Sequence, residues 1–212
     1  FISRGRGVII HTNYCNNIPA LIGKNERKIN VEWDVDKKQI FQTTIKITGQ
    51  ERKNLLNLVR ALHYGKIDIP LVVIGKERSY AKNVYDFIQR NNVKNIIFLK
   101  VIPSEDLPPI YQMSDIFIYP SSFEGFGIPV LEGINSGVPV IAGKGSCLEE
   151  TGGPDSIYVD PSDIADISAS IIRVLEDENL RKRMINKGLQ FAQNFTEEKT
   201  IKSLYKVYES LF

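Results

Sequence analysis

From residue 43 onward the chain alternates short apolar runs with longer stretches of helical periodicity, and this alternation limits its fold more than any other feature. The apolar runs are rich in β-branched residues, and several are nearly continuous, which is typical of strands covered on both faces of a parallel sheet. Strand, crossover helix and strand in repetition predict a doubly wound α/β domain. The predicted strands are residues 43–48, 71–74, 96–99, 116–119, 138–142 and 156–159.

The stretches between the predicted strands place their apolar residues on one helical stripe. The first two stripes are Leu55, Leu58, Val59 and Leu62, and then Ala81, Val84, Tyr85 and Ile88. Together the two patterns predict a Rossmann-like parallel sheet with helices on both faces.

The two ends of the chain depart from this alternation. Residues 1–42 fit it poorly, and we interpret them as the end of a preceding domain and a hinge, before a domain of residues 43–212. The chain does not begin with Met, so we expect a fragment or the ordered part of a longer protein. After Asp160-Pro161 three helical patterns follow with no strand between them.

The last helical pattern begins near Thr196 and carries an apolar stripe to the final residue. The stripe consists of Ile201, Leu204, Tyr205, Tyr208, Leu211 and Phe212. We expect this stripe to pack on residues 1–42 or on a domain that the chain lacks, and to leave an exposed apolar patch.

Composition excludes several classes of function. Lys and Arg total 27 and Asp and Glu total 25, so the chain lacks the concentrated positive field of a nucleic-acid-binding protein. The two cysteines, Cys15 and Cys147, form no metal-binding or disulfide pattern. No signal-peptide pattern opens the chain, and we expect a cytoplasmic protein. Arg4 and Arg6 are too few to act as an electrostatic anchor, which leaves contact with a membrane surface undecided.

The generic nucleotide-binding motifs are absent. Each of the Gly-x-Gly sequences at 5–7, 125–127 and 143–145 lacks the third glycine of the dinucleotide fingerprint. Lys144 is followed by Gly145, whereas a P-loop requires Ser or Thr there. A hydrolase triad has little support, because there are two histidines and no Gly-x-Ser-x-Gly sequence.

The most informative segment runs from the end of one predicted strand, through a loop rich in Ser and Gly, into a helix at residues 119–132. Pro129 suits the first turn of that helix, and Gly137 suits its end. The loop should lie at the carboxyl edge of the sheet, where open α/β sheets bind ligands, and it ends at a helix N-terminus, which favours phosphate. Gly125 and Gly127 would let the backbone approach a ligand closely.

Two acids, Glu124 and Glu132, frame this loop with seven residues between them. Taken singly, Glu124 could be an ordinary loop acid and Glu132 a solvated acid in the first helical turn. Carboxylates beside a phosphate site are unfavourable unless they accept hydrogen bonds from neutral hydroxyls, and a sugar and a ribose offer such hydroxyls. The joint pattern of strand, loop, helix and spaced acids therefore favours a binding role.

This segment resembles the Glu-x7-Glu motif of the retaining glycosyltransferases of family four, also called group 1, which have the GT-B fold. Neighbouring segments resemble the same family, and the likeness extends over about residues 43–212. These segments are residues 107–115, 136–142, 148–153 and 158–161. The resemblance implies the nucleotide-sugar-binding half of such an enzyme, with residues 1–42 at the end of the acceptor-binding half.

The resemblance also implies roles for individual residues. Glu124 would contact hydroxyls of the donor sugar, and Glu132 would hold the ribose of the nucleotide. The amides of Phe126, Gly127 and Ile128 would face the diphosphate or the sugar. The donor would be a UDP-, GDP- or ADP-sugar, and the acceptor a saccharide or a lipid-linked saccharide in polysaccharide biosynthesis.

A positive pair after the first strand normally neutralises the diphosphate in this family. Lys53 matches the family's lysine, whereas Gln50 stands where the family has arginine, and Arg52 is the candidate to compensate. The alternative interpretation of Arg52 and Lys53 is a solvated helix start. Lys100 stands where the family often has glycine beside the base. Charge stabilisation by Lys53, Arg52 and the helix N-terminus would make a metal or other cofactor unnecessary.

Two other classes of function stay open. A GT-B sugar-nucleotide epimerase would bind the same donor but would need no acceptor. A non-catalytic module that binds a nucleotide or sugar nucleotide, or serves only for interaction, would keep the fold alone, although the presence of Glu124, Glu132 and Lys53 argues against this. Because the GT-B active site lies between two halves, we expect the isolated chain to have little or no activity.

Overall fold

The computed structural model describes strands at residues 2–3, 7–8 and 43–46, and then residues 54–75, 81–99 and 102–209. The chain divides into two compact units, Phe1–Gln39 and Ile40–Phe212. Strands β1 (Ile2–Ser3) and β2 (Gly7–Val8) form an antiparallel pair in the first unit. The assignment of residues 1–42 to a preceding domain and hinge stays a prediction.

The second unit is built on one parallel sheet of six strands, in the order β5-β4-β3-β6-β7-β8. The strands are β3 (Thr43–Lys46), β4 (Leu71–Ile74), β5 (Ile96–Leu99), β6 (Phe117–Tyr119), β7 (Val140–Gly143) and β8 (Ile157–Val159). This confirms the predicted Rossmann-like parallel sheet. The strand order reverses between β3 and β6, where Thr44 lies opposite Phe117. Doubly wound sheets bind their ligands at such a reversal.

Three inner strands are buried as their apolar sequences predict. Strands β4, β6 and β7 are buried along their whole length. Strands β5 and β8 end the sheet on either side and are partly exposed, and Ile97 on β5 keeps 37% of its surface exposed. The difference follows from position, because an edge strand has a neighbour on one side only.

Eight α-helices are present in the part of the chain that the structure describes. They are α1 (Asn54–Tyr64), α2 (Ala81–Arg90), α3 (Leu107–Gln112), α4 (Ile128–Asn135), α5 (Leu148–Gly152), α6 (Ile164–Glu176), α7 (Glu178–Ala192) and α8 (Glu197–Glu209). None of the helices among the described residues is long and apolar enough to cross a membrane.

Alternate residues of strands β4, β6 and β7 belong to two separate cores, which confirms helices on both faces of the sheet. Val73, Ile118 and Ile141 join the core that contains residues of α1, α6 and α7. Phe117 and Val140 join the core that contains residues of α3, α4 and α5. Tyr119 and Val130, which flank the candidate loop of residues 120–127, belong to this second core.

The three helices predicted after Asp160-Pro161 are α6, α7 and α8. Asp163 caps α6 by accepting hydrogen bonds from the amides of Ala165 and Asp166, and Asp177 caps α7. No residue of α8 is buried, so the predicted exposed apolar patch is confirmed for its described residues. Leu211 and Phe212 lie outside the described residues, and the partner predicted for this stripe stays a prediction.

Candidate functional site

The loop that carries the candidate residues leaves the sheet where the strand order reverses. Strand β6 ends at Tyr119, and α4 begins at Ile128. The loop therefore lies at the carboxyl end of a central strand, as predicted. Because β3 runs parallel to β6 and pairs with it, the connection after β3, which contains Arg52 and Lys53, begins at the same edge of the sheet.

Glu124 is held from one side by two hydroxyl groups. The Tyr119 hydroxyl donates a hydrogen bond to Glu124 Oε1 at 2.6 Å, and Ser121 Oγ lies 3.0 Å from the same oxygen. Tyr119 is buried, with 1% of its surface exposed, and Glu124 is partly buried. One carboxylate oxygen thus accepts bonds from the protein, and we expect Oε2 to be the oxygen that meets a ligand.

Glu132 lies on helix α4 and is also bonded from the interior. It is the fifth residue of α4, so the alternative interpretation as an acid in the first helical turn is wrong. The Tyr111 hydroxyl donates to Glu132 Oε2 at 3.2 Å, and Tyr111 is fully buried. Glu132 is partly buried, which also differs from a solvated surface acid.

The start of α4 offers backbone donors between the two acids. Within the described ranges, the amides of Phe126, Gly127 and Ile128 donate no hydrogen bond to the protein. Helix α4 begins after Gly127 without a side-chain cap. Free amides at a helix start can bind an anion, and here they lie on the segment that joins Glu124 to Glu132.

The structure explains the presence of glycine at positions 125 and 127 in different ways. Gly127 has φ +90°, and a side chain there would meet Leu148. At Gly125 a Cβ atom would meet nothing within 4 Å. Packing within the described chain therefore requires glycine at 127 but not at 125, where the free space agrees with close approach by a ligand.

Helix α5 fixes the loop from its other side. Cys147 Sγ donates to the carbonyl oxygen of Glu124 at 3.0 Å, and the Thr151 hydroxyl donates to the carbonyl oxygen of Phe126. Burial raises the pKa of the Cys147 thiol, and Glu124 and Glu150 raise it further, so the thiol stays protonated and able to donate. Sequence reasoning did not identify Cys147 and Thr151, although it noted the segment 148–153.

The start of α1 is joined to the same loop. Asn54, the first residue of α1, is 7% exposed, and its Nδ2 donates to Ser122 Oγ at 3.2 Å. Lys53 directly precedes Asn54. Arg52, Lys53 and Lys100 themselves lie outside the described residues, so their assigned roles stay predictions.

Tyr111 and Tyr119 are the further residues that sequence reasoning missed. The sequence pattern predicts that each is an apolar core residue, and each is buried in the structure. The available signal was the position of Tyr119, at the end of a predicted strand and close to Glu124. No group of three or more potential metal ligands occurs among the described residues, and independence from metal stays a prediction.

Comparison with known proteins identifies the family. The sequence model described as glycosyl transferases group 1 matches residues 25–191. The chain belongs to this family. Its fold is the Rossmann-like half of the GT-B fold, because GT-B proteins of known structure match it over about half of their length.

Two curated relatives are about one third identical to this chain over the region that matches. The O-antigen chain mannosyltransferase B of Escherichia coli is 31% identical over 169 residues, which cover 77% of this chain and 44% of that protein. A D-inositol 3-phosphate glycosyltransferase of Corynebacterium urealyticum is 34% identical over 116 residues, covering 54% of this chain and 27% of that protein. The chain thus spans less than half the length of these relatives.

Two solved structures show the same fold. Anabaena HepE in complex with UDP and glucose superposes with a TM-score of 0.72 at 19% identity, covering 82% of this chain and 49% of that chain. The C-terminal domain of the group 1 glycosyl transferase LpcC from Francisella tularensis gives a TM-score of 0.64 at 26% identity, covering 74% of this chain and 88% of that chain.

Proposed function

We propose that this chain is the donor-binding half of a retaining glycosyltransferase of family four, which transfers a sugar from a nucleoside-diphosphate sugar to an acceptor. The observation that carries the proposal is the pair Glu124 and Glu132 on either side of the free amides of residues 126–128. One short segment thus combines acceptors for sugar hydroxyls with donors for phosphate oxygens.

The donor is a UDP-, GDP- or ADP-sugar. HepE has been crystallised with UDP and with UDP-glucose, and its similar fold supports a sugar nucleotide as the donor here. The acceptor is a saccharide or a lipid-linked saccharide. The similarity to an O-antigen mannosyltransferase supports a place in polysaccharide biosynthesis.

Different parts of the site bind different parts of the donor. Glu124 accepts hydrogen bonds from hydroxyls of the transferred sugar, and Glu132 accepts them from the ribose. The amides of Phe126, Gly127 and Ile128 face the diphosphate or the sugar. Gly125 leaves room for the ligand, because no atom of the described chain lies within 4 Å of a side chain added there.

Charge that develops on the leaving diphosphate is stabilised by Lys53, with help from Arg52 and from the start of α4. The bond between Asn54 and Ser122 supports this role, because it ties the residue next to Lys53 to the loop that carries Glu124. The reaction then needs neither a metal nor another cofactor.

The isolated chain binds the donor but transfers it weakly or not at all. The GT-B active site lies between two halves, and this chain spans less than half of its matched relatives. We place the protein in the cytoplasm, and the proposal leaves contact with a membrane surface open.

The first experiment is a thermal-shift screen of the chain with UDP, GDP, ADP and their sugars. A ligand at one hundred times its dissociation constant adds about 2.7 kcal/mol to the free energy of unfolding, which is readily measured. No shift with any of the six ligands would contradict the proposal and would favour a non-catalytic interaction module.

Calorimetric titration of two variants then separates the roles of the acid and the lysine. Glu132→Gln should weaken nucleoside and nucleotide alike by one to two orders of magnitude, because charge-assisted bonds are worth roughly 1.5–3 kcal/mol. Lys53→Met should weaken only the phosphorylated forms. Matched controls are Glu176→Gln and Lys187→Met, which change exposed residues on α6 and α7 and should leave affinity unchanged.

A further inference from the structure

Both acids of the site accept a hydrogen bond from a tyrosine that belongs to the protein interior. The Tyr119 hydroxyl lies 2.6 Å from Glu124 Oε1, and the Tyr111 hydroxyl lies 3.2 Å from Glu132 Oε2. The two tyrosines have 1% and 0% of their surface exposed. Because both side chains are buried, we expect them to influence binding indirectly, through the acids that they contact.

The two tyrosines are parts of one aromatic row, which consists of Tyr111, Phe117 and Tyr119. The ring of Tyr111 meets Phe117 edge-on at 5.1 Å between centroids, and Phe117 stacks on Tyr119 at 6.2 Å with an interplanar angle of 10°. Phe117 and Tyr119 lie two residues apart on β6 and therefore face the same side of the sheet. Tyr111 lies on α3. The packed rings give both hydroxyls fixed positions beneath the site.

The Tyr111 phenol can act only as a donor towards Glu132 at neutral pH. Burial raises the pKa of Tyr111, and the neighbouring Glu132 carboxylate raises it further. If Glu132 turned away, a buried hydroxyl would lose its partner, and an unsatisfied buried donor costs free energy. The hydroxyl therefore resists rotation of the acid. At the other acid, the 2.6 Å bond from the buried Tyr119 hydroxyl holds Glu124 Oε1 in place.

We propose that Tyr119 and Tyr111 are positioning residues that orient the two acids separately. Tyr119 orients Glu124 towards the donor sugar, and Tyr111 orients Glu132 towards the nucleoside. The inference rests on the proposed function, because it assigns the sugar to Glu124 and the ribose to Glu132. Ser121 assists Tyr119, since its Oγ lies 3.0 Å from the same carboxylate oxygen.

The test compares Tyr119→Phe and Tyr111→Phe, which remove the hydroxyls and keep the rings. Calorimetric titration uses UDP with UDP-glucose, GDP with GDP-mannose and ADP with ADP-glucose. Tyr119→Phe should weaken the sugar nucleotide about tenfold, or ~1.4 kcal/mol, and leave the free nucleoside diphosphate unchanged. Tyr111→Phe should weaken both ligands by the same factor.

The matched control is Tyr158→Phe. Tyr158 is partly buried, and its hydroxyl donates to the backbone carbonyl oxygens of Gly153 at 2.6 Å and Glu149 at 3.3 Å, not to the carboxylate of Glu124 or Glu132. This variant should lower the free energy of unfolding without changing either affinity. A structural effect alone would make all three variants behave alike, so the ligand pattern separates orientation of the acids from general stability.

Two additional variants keep the test decisive if a core substitution disturbs folding. Ser121→Ala removes the second contact to Glu124 Oε1 from a residue outside the core, and should weaken only the sugar nucleotide, about twofold. In a Glu124→Gln background, Tyr119→Phe should cause no further loss. If Ser121→Ala weakens neither ligand and Tyr119→Phe adds a full loss to Glu124→Gln, the inference is wrong.

The outcomes also separate this inference from the proposed function. If the unaltered chain binds none of the nucleotides, the proposed function fails and this inference fails with it. If the unaltered chain binds a donor while the phenylalanine variants match Tyr158→Phe, the positioning role alone is overturned.

Discussion

Helices α6 and α8 have the same length and similar sequence patterns but opposite surroundings. Each has 13 residues and an apolar stripe. In α6 the stripe residues Ile167, Ile171 and Val174 are fully buried. In α8, Ile201 and Leu204 keep 58% and 57% of their surface exposed. The amphipathic pattern therefore predicts which face of a helix is apolar, but not what that face packs against.

The difference lies in the partners that each helix has. Helix α6 packs on α1 and β8, and its stripe joins the core on one face of the sheet. Helix α8 contacts the turn Gln193–Phe195 within the described residues, and none of its own residues is buried. The partner of the α8 stripe stays a prediction.

The largest expected effect comes from shortening a side chain in the packed helix. Ile171→Ala should lower the free energy of unfolding by ~2–5 kcal/mol, because it leaves a cavity in the core. Leu204→Ala on α8 should change it by less than about 0.5 kcal/mol. Urea denaturation measures both. Equal losses in the two variants would show that α8 is packed as tightly as α6.

The interior should also be destabilised at alkaline pH. Burial raises the pKa of Tyr158 to about 12 and raises that of Tyr111 as well. Above pH ~10 the unfolded chain loses these protons while the folded chain keeps them, so stability should fall as pH rises, by ~1.4 kcal/mol per pH unit for each tyrosine. Urea denaturation from pH 9 to 11 should give a shallower slope for Tyr111→Phe and Tyr158→Phe, but not for Ile171→Val.

Helix α5 lies between the two extremes, because polar contacts fix it instead of a long apolar stripe. It has five residues, and Thr151 bonds it to the loop at Phe126. Thr151→Val keeps the shape and removes the hydroxyl, so it should cost about 1 kcal/mol of unfolding free energy and weaken nucleotide binding. Thr151→Ser, the matched control, should keep most of both. Equal behaviour of the two variants in titration would contradict the contact.

The smallest effect on stability is expected on the exposed face of α8, where the effect on association should be clear. Leu204→Glu should reduce self-association of the chain, because exposed apolar patches favour association, and should change the unfolding free energy by less than about 0.5 kcal/mol. Ser203→Glu adds the same charge off the stripe. Sedimentation velocity should show a decrease for Leu204→Glu alone, and a decrease in both would indicate a charge effect.

The strands of the sheet could be predicted from the sequence, whereas their ends depended on local bonding. Strand β7 begins at Val140 because Pro139 has no N–H to donate to a neighbouring strand; its carbonyl oxygen accepts from Phe117 instead. Strand β8 begins at Ile157, since Ser156 bonds the carbonyl oxygen of Gly152 through its side chain.

The acids of the site could be predicted because they lie on one segment at a fixed spacing. Their supporting residues could not, because the pattern along the chain does not encode contacts between distant positions. Tyr111 contacts Glu132 from another helix, and the contacts of Cys147 and Thr151 depend on how α5 packs against the loop. The position of Glu132 beyond the first turn depended on the start of α4 at Ile128.

The order of the strands also has a consequence for how the domain assembles over time. Each half of the sheet joins strands that follow one another along the chain, whereas Thr44 and Phe117, which join the halves, are the most distant in sequence of the described pairs in the sheet. Contacts of high sequence separation cost more loop-closure entropy and form more slowly. We therefore expect the two halves to form first, so that the sheet edge with the candidate site, which lies at their junction, is completed in the late step of folding.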